Sequence, residues 1–240
     1  MKKILLWMFG AALAATRIGA AQDTDNDFSN IPPPKPPYVA RAAQKSAWTI
    51  DFTPNASGSA TGTSTPASQP PKRQPKQQAW TKSGGLLHCV SEWTDGTSTE
   101  EWVVGSMLMA EDVKEKGIHI YSSKSDPRYH DFGTSDFAML DWITPKDFDR
   151  VVKHGDEVCY LFTAKTLTTT AADNGVHNKT LAQLNAPTTT TTAFISVQSG
   201  LPVEIDNGDG KYIFHYLPTP SGELKLPDAF LALWKASRVH

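Results

Sequence analysis

The sequence has little cysteine: Cys89 and Cys159 are the only two in 240 residues. That excludes a small disulfide-stapled scaffold and any cysteine-rich metal cluster. It leaves room for one Cys89–Cys159 disulfide or for two buried thiols, and spacing does not decide between them. Charge of one sign is equally scarce, with 23 Lys and Arg against 25 Asp and Glu. The single basic cluster, Lys72, Arg73 and Lys76, lies among Pro and Gln and reads as a solvated linker. A chain without a basic surface has no means of competing for phosphate, so neither nucleic acid nor an anionic membrane surface is an expected partner.

Long apolar runs are missing too, apart from one at the start. Lys2 and Lys3 precede an apolar stretch from Ile4 to Ala15, and the small residues Gly19-Ala20-Ala21 follow. Spanning a bilayer takes about 20 apolar residues, and Arg17 ends the run before that. The stretch reads as a signal peptide, residues 1–21, cleaved after Ala21, with no cysteine nearby to carry a lipid anchor. The expected location is periplasmic or secreted, with no transmembrane segment after cleavage. Losing Lys2, Lys3 and Arg17 leaves 20 basic residues and a net charge of about −5.

Catalytic and metal signatures are also sparse. No phosphate loop, Gly-x-Ser-x-Gly or Ser-x-x-Lys occurs, and no two histidines have the spacing of a zinc-binding helix. The Asp23, Asp25, Asp27 triplet opens like a calcium loop, but Phe28 and Pro34 stand where glycine and the last carboxylate belong. The "DNGDG" at 206–210 reads as a turn. The densest polar cluster holds Ser125, Asp126, Arg128, His130 and Asp131. A hydrolase using His130 and Asp131 is one reading of it; ordinary loop chemistry around Asp126-Pro127 is the favoured one. The expectation is therefore no catalytic residue, no metal and no cofactor.

What the chain does contain is β-pattern, aromatic residues and polar interruptions. Residues 22–45, with the Pro32–Pro37 run, read as a flexible or extended arm. Residues 46–237 read as a single β-rich domain with a disordered insertion at 55–78 and a polar, Thr-rich loop at 168–192. Asp95-Gly96 predicts a two-residue hairpin turn, which sets Trp93 opposite Ser98, Cys89 opposite Trp102 and Leu87 opposite Val104. Thr144-Pro145 with Asp147 predicts a short helix to Val152. Near the end, a four-residue loop Asn207–Gly210 pairs Asp206 with Lys211 and Ile205 with Tyr212. A three-residue loop at 198–200 precedes it, and a bulge is expected at Pro202, which lacks a ladder N–H. A last helix is expected near 228–236. The fold class is mainly β (α+β): a curved antiparallel sheet of six to eight strands with one or two short helices.

"SAWTIDFT", the succession of hairpins and above all "AFISVQSGLPVEIDNGDGKYIFHYLP" resemble the periplasmic lipoprotein-carrier and outer-membrane lipoprotein-sorting domains, over 46–54 and 84–226. The family's late motif begins with Asp where this chain has Ser196, and its long helices lack counterparts here. The resemblance implies an unclosed barrel whose concave apolar face holds acyl chains.

The aromatics supply a candidate face: Trp93, Trp102, Met107, Met109, Trp142, Tyr212, Phe214 and Tyr216. These eight side chains are candidates for binding an apolar ligand, a lipid or a lipidated partner, because so little helix is on hand to cover them. The alternative is a cell-envelope protein-interaction module with a fully filled core, in which the Pro-rich segment 31–37 contacts another protein.

Overall fold

The structure is a computed structural model describing residues 28–55, 73–112, 117–122, 130–167 and 188–238. The expected signal peptide, most of the expected 55–78 insertion, Ser125, Asp126, Arg128 and most of the expected Thr-rich loop lie outside the described residues.

Eleven strands form one antiparallel sheet. They are β1 (Lys45–Pro54), β2 (Pro75–Ser83), β3 (Leu86–Trp93), β4 (Ser98–Val104), β5 (Met107–Asp112), β6 (Gly117–Ser122), β7 (Phe148–His154), β8 (Glu157–Leu167), β9 (Thr188–Ser196), β10 (Pro202–Asp206) and β11 (Gly210–Leu217). Their spatial order is β6-β5-β4-β3-β2-β1-β11-β10-β9-β8-β7. The sheet is curved and does not close, as expected for the fold class, since β6 and β7 remain its two edges. The centre is the long-range pairing of β1 with β11, from Ala47↔Leu217 to Pro54↔Gly210. Gly210 is dictated by contact: a Cβ there would sit 2.5 Å from the Thr53 carbonyl oxygen and 2.6 Å from the Phe52 ring.

The late hairpin follows the expected register, with Asp206↔Lys211 and Ile205↔Tyr212. The β9–β10 ladder shifts between Pro202 and Glu204, so the bulge lies where proline cannot donate. The loop before it is one residue longer than expected, spanning Val197–Gly200, because Ser196 N–H donates to the Leu201 carbonyl at 2.9 Å.

Four elements differ from expectation. The first hairpin closes through three residues, Thr94–Gly96. Trp93 N–H donates to the Thr97 carbonyl at 3.0 Å, and Gly96 takes the left-handed position at φ +79°. Cys89 therefore faces Glu101, and His88 faces Trp102. A one-residue slip sends every side chain of a strand to the other face. Second, the helix expected after Thr144 is a single 3-10 turn, Pro145–Asp147, even though the Asp147 carboxylate accepts from both the Thr144 N–H and hydroxyl. Phe148–His154 then becomes β7, because β-branched Val151 and Val152 gain a full ladder on β8. Third, Thr188–Thr192, assigned to the polar loop, extend β9 against Thr163–Leu167. Fourth, β2 begins at Pro75, inside the expected insertion.

Both faces carry covers. On one, a helix α1 (Asp228–Ser237) sets Phe230 against Trp102 and Met109, with Trp234, Leu224 and Leu226 around them. The other carries the main core, roofed by the arm around Tyr38–Ala42 and by the segment 130–143.

Of the two readings of the cysteines, the pair of buried thiols holds. Cys89 and Cys159 are free and fully buried, on β3 and β8, with five strands between them in the sheet.

Candidate functional site

The roof over the main core is irregular chain apart from a 3-10 turn at Ala138–Leu140, and one carboxylate fastens it. Asp136 is buried and accepts hydrogen bonds from Arg41 Nη2 at 2.8 Å, Lys82 Nζ at 2.8 Å and the Ala42 N–H at 2.9 Å. The arm, strand β2 and the roof thus meet at one residue. Burial pushes this carboxyl up, but the bonds and charges of Arg41 and Lys82 outweigh it and hold Asp136 below the usual carboxylate range. Lys82 is also buried, and its second contact is the Ala42 carbonyl at 3.0 Å.

Between this roof and the sheet lies a cavity of about 380 Å³, toward the lower end of the ~300–1,000 Å³ range of small-molecule sites. Its floor comes from strands far apart in sequence: Trp48 and Ile50 on β1, Gln78 and Trp80 on β2, Glu101 on β4, Leu108 on β5, Tyr121 on β6, Tyr212 and Phe214 on β11. His130, Phe132, Asp136, Phe137, Ala138 and Met139 form its ceiling.

Aromatic contacts fix the walls. Trp48 and Trp80 are parallel with ring centres 6.0 Å apart, Phe137 leans on Trp48 at 5.5 Å, and Phe137 meets Phe214 edge-on at 5.9 Å. Two polar features interrupt this surface. Trp48, 1% exposed, has a buried Nε1 with no hydrogen-bond partner. Glu101 is partly buried, and desolvation raises its carboxyl above the ordinary value.

The ceiling holds no free acid–base pair. His130 faces Asp141 at 2.5 Å through Nδ1 and the Ser135 carbonyl at 2.9 Å through Nε2, so both ring nitrogens meet oxygen acceptors. Asp131 accepts from the Gly133 N–H at 2.9 Å, which is turn chemistry. Among the described residues no group of three or more His, Cys, Asp or Glu could hold a metal ion.

The eight candidate side chains divide. Tyr212 and Phe214 line the cavity. Trp142 packs against the main core with its Nε1 buried and unpartnered. Trp102 and Met109 lie on the opposite face under α1, a consequence of the hairpin register, and Met107 sits beside the end of that helix, where Ser237 Oγ contacts its sulfur at 3.6 Å. Trp93 donates to Thr99 Oγ1 at 2.9 Å and carries the Arg73 guanidinium 4.0 Å from its ring centre. Tyr216 is 41% exposed, and its hydroxyl donates to the Pro202 carbonyl at 2.8 Å.

Sequence reasoning missed Trp48, Trp80, Glu101 and Leu108. The alternation of Trp48, Ile50 and Phe52 in β1 was a readable signal for the first; Glu101 and Leu108 depended on the hairpin register. Phe132, Phe137 and Leu140 have neither strand nor helix spacing, so no period marked them as a roof.

No family model and no curated protein matches the chain. Among solved structures, it is similar to the lipoprotein LppX of Mycobacterium tuberculosis, with 9% identity, a TM-score of 0.37 and coverage of 75% of this chain and 88% of that one. It is also similar to LprF of Mycobacterium bovis, with 10% identity, a TM-score of 0.33 and coverage of 78% and 90%. Likenesses this distant do not bear on what this chain binds. No helix among the described residues is long and apolar enough to cross a membrane.

Proposed function

We propose that this protein is a noncatalytic, exported domain that binds an apolar ligand, a lipid or a lipidated partner, in the cavity beneath the 130–143 roof. The observation that carries this reading is the cavity itself: an apolar void of about 380 Å³ walled by Trp48, Trp80, Phe132, Phe137 and Phe214. Leaving such a lining to water is unfavourable, and an apolar ligand that displaces that water gains the free energy of burying its own and the lining's apolar surface. Each methylene moved into it from water contributes about 0.8 kcal/mol. The engagement of both His130 ring nitrogens speaks against the hydrolase reading.

Diphenylhexatriene, an uncharged probe with no polar group, tests the proposal. Its fluorescence is expected to rise on binding, with near-unit stoichiometry. Leu108→Trp, which fills the space from the floor, is expected to abolish the signal while the protein still unfolds cooperatively. An unchanged signal in that variant, or none in the wild type, would overturn the assignment. Mass spectrometry of native protein would then identify the co-extracted ligand.

A further inference from the structure

The cavity is apolar except at a few places, and most of those are spoken for; the exceptions are the Trp48 Nε1, buried with no hydrogen-bond partner, and the Glu101 carboxyl. Asp136 is saturated by Arg41, Lys82 and the Ala42 N–H. His130 is held by Asp141 and Ser135, and Gln78 donates to Ser91 Oγ at 3.2 Å. Glu101 differs: it lines the cavity and has no hydrogen-bond or ion-pair partner among the described residues. Its ladder neighbours offer no strong donor. Across β3 stands Cys89, whose sulfur faces Ser91 Oγ at 3.6 Å, and across β5 stands Ala110. Glu101 is only partly buried, so solvent serves its carboxyl while the cavity is unfilled, and a ligand that displaces that solvent must supply the hydrogen bond in its place.

We propose that the cavity receives an uncharged apolar molecule bearing a hydroxyl group, and that this hydroxyl hydrogen-bonds to the Glu101 carboxyl. The inference rests on the cavity-binding reading above and adds the ligand's polar group to it. The choice of hydroxyl follows from donor and acceptor counting. A hydroxyl carries one donor and two acceptor sites, so it pairs with Glu101 whether that carboxyl is ionised or protonated. An ammonium pairs only with the ionised form and pays a desolvation penalty that such a pair barely recovers. At Glu101 a ligand carboxylate meets an acceptor or a like charge.

The test is displacement of diphenylhexatriene from the full mature chain by four twelve-carbon compounds: dodecane, 1-dodecanol, dodecylamine and dodecanoate. Dodecanol is expected to compete about tenfold better than dodecane and than dodecanoate, the factor one hydrogen bond to a buried group supplies. In Glu101→Leu the advantage over dodecane should vanish while probe binding persists. Glu101→Gln, similar in shape and still able to accept, should retain most of it and guards against a folding defect in the leucine variant. Equal competition by dodecanoate, a preference for dodecylamine, or an alcohol advantage that survives in Glu101→Leu would each overturn the inference and leave cavity binding standing. Failure of the probe to bind wild-type protein would remove both.

Discussion

Glu204 on β10 joins β7 to β11 through its charge. Its carboxylate accepts from His154 Nε2 at 3.1 Å and Lys211 Nζ at 2.9 Å. The His154 bond is the largest influence, and with Lys211 it outweighs burial to bring the carboxyl down to about 2, against an ordinary value of 4.5. A depressed folded value means stability that is complete above pH 4.5 and is lost as pH falls toward 2. The amount is about 2 kcal/mol once solvent screening at the half-exposed Lys211 is allowed for. Urea midpoints at pH 7 and pH 3 should therefore lie closer together in Glu204→Gln than in the wild type; identical acid sensitivity would rule the account out. Asp136 presents a sharper case, because two cations converge on it. Asp136→Asn strands the buried Lys82 ammonium, and denaturant titration should show a loss of about 3–5 kcal/mol. The thiols yield a third expectation. Burial pushes Cys89 far up and Cys159 up to about 11, so Ellman's reagent should find no reactive thiol in native protein and two after denaturation.

Among the elements, the N-terminal arm most needs explaining, since its proline content reads as a solvated extended chain. Its end is anchored nonetheless: Tyr38 meets Phe162 edge-on at 5.9 Å, the Ala40 N–H donates to the Gly200 carbonyl at 2.8 Å, and Ala42 is buried. A chain beginning at Ala43 should lose about 2–4 kcal/mol from this burial and from the weakened Asp136 cluster. Arg41→Ala should lose only about 1 kcal/mol, because that guanidinium is 45% exposed. Equal losses in the two proteins would mean that the apolar part of the arm contributes nothing.

The same scale shows what the sequence could reveal. Where apolar residues alternate and a turn is unambiguous, as from Pro202 to Tyr216, register and bulge were both legible. At Asp95-Gly96 the turn residues fit either a two- or a three-residue loop, and the side chains on both faces were large enough to accept either. That single ambiguity moved Trp102 and Met109 out of the candidate site and brought Glu101 into it. Thr188–Thr192 were hidden for a different reason: a run of threonine resembles a polar linker in composition, while its β-branching favours a strand once a partner strand is present.

For the whole molecule, the arrangement of covers explains how so little helix suffices. Helix α1, the one α-helix among the described residues, serves one end of one face, over Trp102 and Met109. Loop and arm serve the other, and since they are not regular they meet the sheet unevenly, leaving a gap against β1, β2, β4 and β5. Truncating the ceiling should widen that gap. Phe137→Ala should cost about 3–5 kcal/mol in apparent stability, partly recovered when a bulky apolar compound is added, a rise in thermal midpoint that calorimetry would read out.

The pairing of β1 with β11 has a temporal consequence. An early segment of the chain takes its central neighbour from a strand that begins only at Gly210, so the middle of the sheet stays unzipped until residues 210–217 have been made. Folding limited by that long closure is slow, and a nascent polypeptide halted before residue 210 would expose the bare edge of its own first strand to any chaperone or aggregation partner within reach.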